Sequence, residues 1–194
     1  MQKILFLVLI SIIFAQEYPK GKDIPQITKA KWVSDLITLA RDRKSKYKNS
    51  WPYNVLYYDG TYWWADCVNV NKALFNGRNI NDFTVGGYQG YLGNTGDITT
   101  EQMIDRCTSV SHNFAQLKQG EPRILHLKGH IGAYLGQVVT VGKSQYNVVE
   151  ATAAFGSKIA LSWVDSDGTR RDQKGGYTNG KWTSHGKPTR WVKY

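Results

Sequence analysis

The apolar residues of this chain change their period part-way along, and that change limits the folds open to it more than any single motif. In the first half, Trp32, Val33, Leu36, Leu39 and Ala40 recur at three- and four-residue spacing, which predicts an amphipathic helix with Thr28 placed to cap its start. The helix runs into Arg41, Arg43, Lys44, Lys46 and Lys48, cations that suit the negative end of a helix dipole. A second helix is predicted over Cys67 to Phe75, where Val68, Val70, Ala73 and Leu74 are apolar and Asn76-Gly77 supplies a stop. A third is predicted from Thr100 to about Cys107 after a capping-type start. Past residue 120 the period falls to two. Arg123 to Leu127, His130 to Gly136, Gln145 to Ala151 and Ile159 to Val164 read as strands, with Asp165-Ser166-Asp167-Gly168 as a turn. Trp182 and the stretch from Thr189 to Tyr194 are expected to close the sheet edge. Helices first and strands later predict an α+β domain with an antiparallel sheet.

The first residues suggest an address. Met1-Gln2-Lys3 precedes a short apolar block, Ile4 to Phe14, that ends in Phe14-Ala15-Gln16 with a small residue at the cleavage point. Residues 1–15 therefore read as a signal peptide, residues 16–29 as an irregular lead-in with Pro19, Gly21 and Pro25, and residues 30–194 as a single domain. No later segment is long and apolar enough to span a bilayer, so a secreted protein without membrane insertion is expected. The formal net charge of +10 draws such a protein to anionic polymers. Nothing matches a nucleic-acid module, and nucleic acid is not an expected partner. Between the first two helices, Tyr57, Tyr58, Tyr62, Trp63 and Trp64 flank an Asp59-Gly60 turn. Residues 78–98, with Gly86-Gly87 and Gly90, read as a long surface loop of the kind that often carries function.

The chain has two cysteines, Cys67 and Cys107, and in a secreted protein a disulfide is the plain expectation for such a pair. Position argues for something else. Cys67 opens the predicted second helix, where backbone N–H groups and the helix dipole favour a thiolate. A reactive thiol needs a base, and the base needs an orienting partner. His130 opens a strand between Gly129 and Gly132, small neighbours that leave room for a second element to approach. Glu150 ends the Val148-Val149 run of the following strand, placed to hold the imidazole by its other nitrogen. His112, His126 and His185 have no comparable setting. There is no zinc-type Cys/His spacing, no Gly-x-Ser-x-Gly elbow, and no phosphate or dinucleotide loop, so no metal or cofactor is expected.

Asp66-Cys67 at a helix start, the run Gly129-His130-Ile131-Gly132-Ala133-Tyr134-Leu135-Gly136, and a polar residue ending the next strand resemble the NlpC-like cell-wall cysteine peptidases. The look is nearest to their short endolysin-type members from phages and Gram-positive bacteria. Pro52-Tyr53 upstream, Cys107 between the two motifs, and Trp182-Thr183-Ser184-His185-Gly186 near the end follow the same order. The resemblance covers roughly residue 30 to the end. It implies a permuted papain-like fold, with N-terminal helices carrying the nucleophile at a helix start, packed on an antiparallel sheet. It also implies Cys67 as nucleophile, His130 as base and Glu150 as orienting residue. Tyr53, Trp64 and Asp66 would be substrate contacts, with Tyr53 as a second oxyanion donor beside the Cys67 N–H. The implied substrate is bacterial peptidoglycan, cut within the stem peptide or at the amide joining peptide to sugar, by a monomer. Two alternatives remain at this point. One is a non-catalytic wall-binding module of the same fold with a Cys67–Cys107 disulfide, and the other is a thiol acyltransferase acting on lipid or protein.

Overall fold

The computed structural model describes residues 26–47, 56–76, 88–89 and 98–194. In chain order, β1 (Ile27–Thr28) leads into α1 (Lys29–Arg41). Strands β2 (Ser45–Tyr47), β3 (Leu56–Tyr58) and β4 (Trp63–Ala65) precede α2 (Asn69–Phe75), and β5 (Tyr88–Gln89) precedes α3 (Thr100–Asp105). Then come β6 (Thr108–Ser111), a 3-10 turn at Phe114–Gln116, β7 (Arg123–Leu127), β8 (His130–Val141), β9 (Ser144–Thr152) and β10 (Lys158–Val164). The chain finishes with β11 (Thr169–Arg171), β12 (Thr178–Lys181), β13 (Ser184–Lys187) and β14 (Val192–Lys193).

One eight-stranded sheet in the order β12-β11-β10-β9-β8-β7-β13-β6, antiparallel throughout, forms the body of the molecule. Side chains alternate across it, as the two-residue pleat requires. Ile124, Ile131, Ala133, Val149 and Ala151 turn to one face and join Trp32, Leu36, Cys67, Leu74 and Phe75 in the larger core. Leu125, Tyr134, Val148 and Val164 turn to the other and pack with Phe114 and Trp182. The helices cover the first face. Thr28 caps α1 by accepting the Lys31 N–H at 3.2 Å, and Trp32, Val33, Leu36 and Leu39 form its buried stripe. Helix α2 is buried along its whole length, and Phe75 lies between the rings of Trp32 and Trp191 at centroid separations of 5.3 and 5.1 Å. Each such ring removed from water contributes about 1.5–3 kcal/mol.

A four-stranded sheet in the order β2-β4-β3-β5 and one separate pair of strands stand apart from this sheet. The aromatic segment is a hairpin of β3 and β4 in which Asp59 Oδ1 accepts the N–H groups of Thr61 and Tyr62, each at 2.7 Å. Strand β1 pairs in parallel with β14, matching Ile27 to Val192.

The expected α+β, permuted papain-like arrangement is overturned. Among the described residues strand accounts for 43% and helix for 21%, and the N-terminal helices are not a layer comparable to the sheet. The physical reason lies in lengths. Helices α1, α2 and α3 have 13, 7 and 6 residues, while β8 alone runs for 12 and β9 for 9. Four further strands, β6, β11, β12 and β13, form from polar segments without apolar alternation. The C-terminal segment does not close the sheet edge either. Strand β13 lies inside the sheet between β7 and β6, and β14 leaves it to pair with β1. The irregular lead-in expected over 16–29 gives way earlier, since Ile27–Thr28 is strand and α1 begins at Lys29. The segment read as a signal peptide lies outside the described residues, as does most of the loop expected at 78–98. No helix among the described residues is long and apolar enough to cross a membrane.

Candidate active site

The hairpin that joins β7 to β8 turns at Lys128-Gly129, with Gly129 at φ +73°, a conformation that favours glycine. Glu101, in the first turn of α3, accepts the Gly129 N–H at 3.1 Å and ties the turn down. His130 is thereby presented as the first residue of β8. Its Nε2 meets Glu150 Oε2 at 2.6 Å, and its ring stacks on Trp182 with centroids 5.5 Å apart and planes 18° from parallel. Gly132, two residues along on the same face, makes room for that indole. A Cβ there would lie 2.7 Å from Trp182 Cη2.

Glu150 is fully buried, and every bond it makes explains how a carboxylate can sit there. Ser162 donates its hydroxyl to Oε1 at 2.6 Å, and Arg170 donates Nε to both oxygens at 3.1 and 2.9 Å and Nη2 to Oε2 at 2.5 Å. Arg170 is fixed in turn by Thr152 Oγ1, the Asn179 carbonyl and Asn179 Oδ1. Its guanidinium lies over Phe155 at 4.7 Å and over Trp182 at 5.6 Å. Burial alone would push the Glu150 carboxyl up. The hydrogen bond from His130 and the charge and hydrogen bonds of Arg170 outweigh it, and the group is held below its ordinary value. Glu150 is therefore an ionised acceptor, and the His130 nitrogen facing it carries the proton. The other ring nitrogen, Nδ1, makes no hydrogen bond to a described residue.

Cys67 lies in the turn between β4 and α2, two residues before the helix begins rather than at its first position. Asp66 occupies the place of a cap: its Oδ1 accepts the N–H groups of Val68 at 3.0 Å and Asn69 at 2.8 Å. This arrangement reverses the expected effect on the thiol. Burial, and next the negative charge of Asp66, push Cys67 up to about 12, although the N–H groups of Ile131, Cys67 and Val68 face the sulfur and work the other way. The sulfur thus sits beside the backbone of Ile131, the residue that follows His130. Ile131 turns toward the helices, into the core that includes Cys67, while His130 turns toward Trp182 and Glu150. Thiol and imidazole come to the start of the same strand from its two faces. No hydrogen bond joins them among the described residues.

No protein-family model, curated protein or solved structure matches this chain.

Of the six residues singled out in the sequence, the structure joins His130 to Glu150 and brings Cys67 to the neighbouring backbone. Asp66 directs a carboxylate oxygen to the helix start. Trp64 directs its N–H to Asp59 at 2.7 Å and packs edge-on against Tyr62, so its ring belongs to the aromatic hairpin. Tyr53 lies outside the described residues. Both cysteines are free, and the Cys67–Cys107 disulfide of the alternative reading is not formed. Cys107 instead donates its thiol to the Met103 carbonyl at 3.3 Å and packs against Gly186. Arg170, Ser162 and Trp182 were not visible as site residues in the sequence. Their signal is register: Val164 pairs with Arg170, so Ser162, Val164 and Arg170 share the face that Glu150 occupies on the adjacent strand.

Among the described residues no group of three or more His, Cys, Asp or Glu side chains is gathered as a metal site. A cleft of about 510 Å³ lies elsewhere, between α1 and the middle of β8, with Val33, Ile37, Arg41 and Leu135 in its walls. At about 3.3 Å per residue, Leu135 is roughly 17 Å along the strand from His130. The cleft is separate from this chemistry. What the His130 cluster offers is an imidazole held at Nε2 by a buried carboxylate, with a buried, protonated thiol beside Ile131 on the other face of the strand.

Proposed function

We propose that this protein is a secreted thiol hydrolase that cleaves amide bonds in the peptides of bacterial peptidoglycan, with Cys67 as nucleophile, His130 as base and Glu150 as the residue that orients the base. The observation that carries the reading is the 2.6 Å contact of His130 Nε2 with a fully buried, arginine-clamped carboxylate at the strand start beside which the Cys67 sulfur lies. A carboxylate bound to one ring nitrogen leaves the other as a proton acceptor. The step requires the thiol and the imidazole to meet round the start of β8, which they approach from its two faces; His130 Nδ1 then takes the thiol proton as sulfur attacks the amide carbonyl, and the imidazolium passes that proton to the departing amine. Water, activated by the same nitrogen, then hydrolyses the thioester and regenerates the thiol. The Cys67 N–H that faces the sulfur supplies a positive dipole where negative charge develops on oxygen.

Because Cys67 is pushed up to about 12, the resting sulfur is a neutral thiol rather than a thiolate. Proton transfer then accompanies attack. The choice of wall peptides rests on the resemblance of Asp66-Cys67 and Gly129-His130 to the cell-wall peptidases and on the +10 charge, which suits an anionic envelope. The test is digestion of purified peptidoglycan by the wild-type protein and by Cys67→Ala, with mass spectrometry of the released fragments. Release by the wild type alone supports the assignment, and the fragment masses identify the bond. Equal release by both proteins refutes it.

A further inference from the structure

We infer that Arg170 is a positioning residue for His130, acting through Glu150 to hold the imidazole in the one tautomer that can accept a proton from the Cys67 thiol. The inference rests on the proposed thiol chemistry and adds a requirement that the chemistry alone does not state.

The geometry makes the argument. His130 presents Nε2 to Glu150, so the proton-accepting nitrogen has to be Nδ1, and Nδ1 has a lone pair only while the ring proton stays on Nε2. That holds as long as Glu150 is ionised and accepts. A protonated Glu150 would donate to Nε2 instead, move the ring proton to Nδ1, and remove the acceptor. The carboxyl is completely buried, so without compensation the neutral form is favoured. Ser162 donates one hydrogen bond and carries no charge. Among the described residues, the charged or titratable side chains bonded to Glu150 are His130 from β8 and Arg170 from β11. His130 cannot be the compensating charge and also be the neutral base. Arg170 is left for that role.

The surroundings of Arg170 fit a fixed charge rather than a flexible one. Its donors reach four partners: Glu150, Thr152, and the carbonyl and side chain of Asn179. Aromatic rings from Phe155 and Trp182 lie over its plane, and Trp182 also stacks on His130. Arginine is suited to this because its planar fork meets a carboxylate with two bonds at once. A displaced guanidinium would release Glu150 and disturb the indole together.

The experiment is nitrogen-15 NMR of the His130 ring in the full chain across the neutral pH range, in wild type, Arg170→Lys and Arg170→Met. The wild type is expected to carry the neutral-ring proton on Nε2. Arg170→Met is expected to shift it to Nδ1, with peptidoglycan hydrolysis at neutral pH falling by about tenfold or more. Arg170→Lys, which keeps the charge, should retain the wild-type tautomer. An Nδ1–H tautomer in the wild type, or an unchanged tautomer in Arg170→Met, overturns the inference. Because the wild-type spectrum is decisive by itself, a variant that fails to fold leaves the idea exposed to refutation. A protein that shows the expected tautomers but cuts no peptidoglycan instead refutes the function proposed above, and the two failures are read separately.

Discussion

Gly132→Ala tests how closely the indole of Trp182 is built into the His130 cluster. The added methyl would stand 2.7 Å from Trp182 Cη2, 3.0 Å from Cζ2 and 3.4 Å from Val148 Cγ1. Ordinary carbon contacts are about 3.5–4.0 Å, so the ring has to retreat by about 1 Å. It has little freedom to do so. Trp182 is 2% exposed, His130 stacks on it, and the Arg170 guanidinium lies over it. Strand β8 is hydrogen-bonded on both sides and resists moving in its place. Overpacking of this kind costs about 1–3 kcal/mol. In a chain of this size each kcal/mol lowers the melting temperature by about 2–4 °C. Urea unfolding followed by circular dichroism reads the stability, and tryptophan fluorescence with the His130 nitrogen shifts reads the ring's displacement. The expected result is a lower midpoint together with altered His130 shifts. An unchanged midpoint and unchanged shifts would mean that the indole is not confined as described, and the packing argument would fail.

Three further outcomes follow from separate features. The thiols of Cys67 and Cys107 are both raised from 9.0 to about 12, so their contribution to stability is complete below pH 9 and is lost as pH rises toward 12. Urea midpoints measured on the alkaline side should fall less steeply in a Cys67→Ala, Cys107→Ala double variant than in wild type, and equal slopes would contradict this. His185 is fully buried with Nε2 on the Asn113 carbonyl, Nδ1 facing Arg123 at 3.2 Å, and the Phe114 ring edge-on beside it. Burial lowers its tendency to take a proton, and the Arg123 and His112 charges add to that, so its stabilising effect is present above pH 6.5 and is lost as pH falls through the lowered value. Thermal melts on the acid side should therefore decline more steeply for wild type than for His185→Gln. Thr28→Ala removes the side-chain cap of α1 and should lower stability by about 1 kcal/mol in urea titrations, with no change in peptidoglycan release.

The sequence disclosed those parts of the fold whose order is local. Helix α1 carries its own apolar stripe and its own cap, and β7 to β10 carry their own alternation, so each declares itself within a short window. The segment Ser184-His185-Gly186-Lys187 has no such pattern. It becomes a strand because β7 and β6 leave a slot between them and because Gly186 clears the side chain of Cys107. The pairing of His130 with Glu150 was legible because both residues sit at comparable points of adjacent strands and have complementary chemistry. Arg170 was hidden, since its partners come from two other strands, β9 and β12. The environment of Cys67 was misread for a related reason. A helix start favours a thiolate only where the dipole is not already answered, and here the Asp66 carboxylate answers it while the surrounding core excludes water.

Strand β13 has a consequence for how the molecule comes into being. A ribosome delivers residues 184–187 after every other strand of the eight-stranded sheet, yet they belong in its interior, with β7 on one flank and β6 on the other. Until they arrive, two hydrogen-bonding edges stand open, and Trp182, just before them, cannot yet lie against His130. A chain ending before Trp182 would therefore leave β6 without its neighbour in the sheet and the histidine without its aromatic wall.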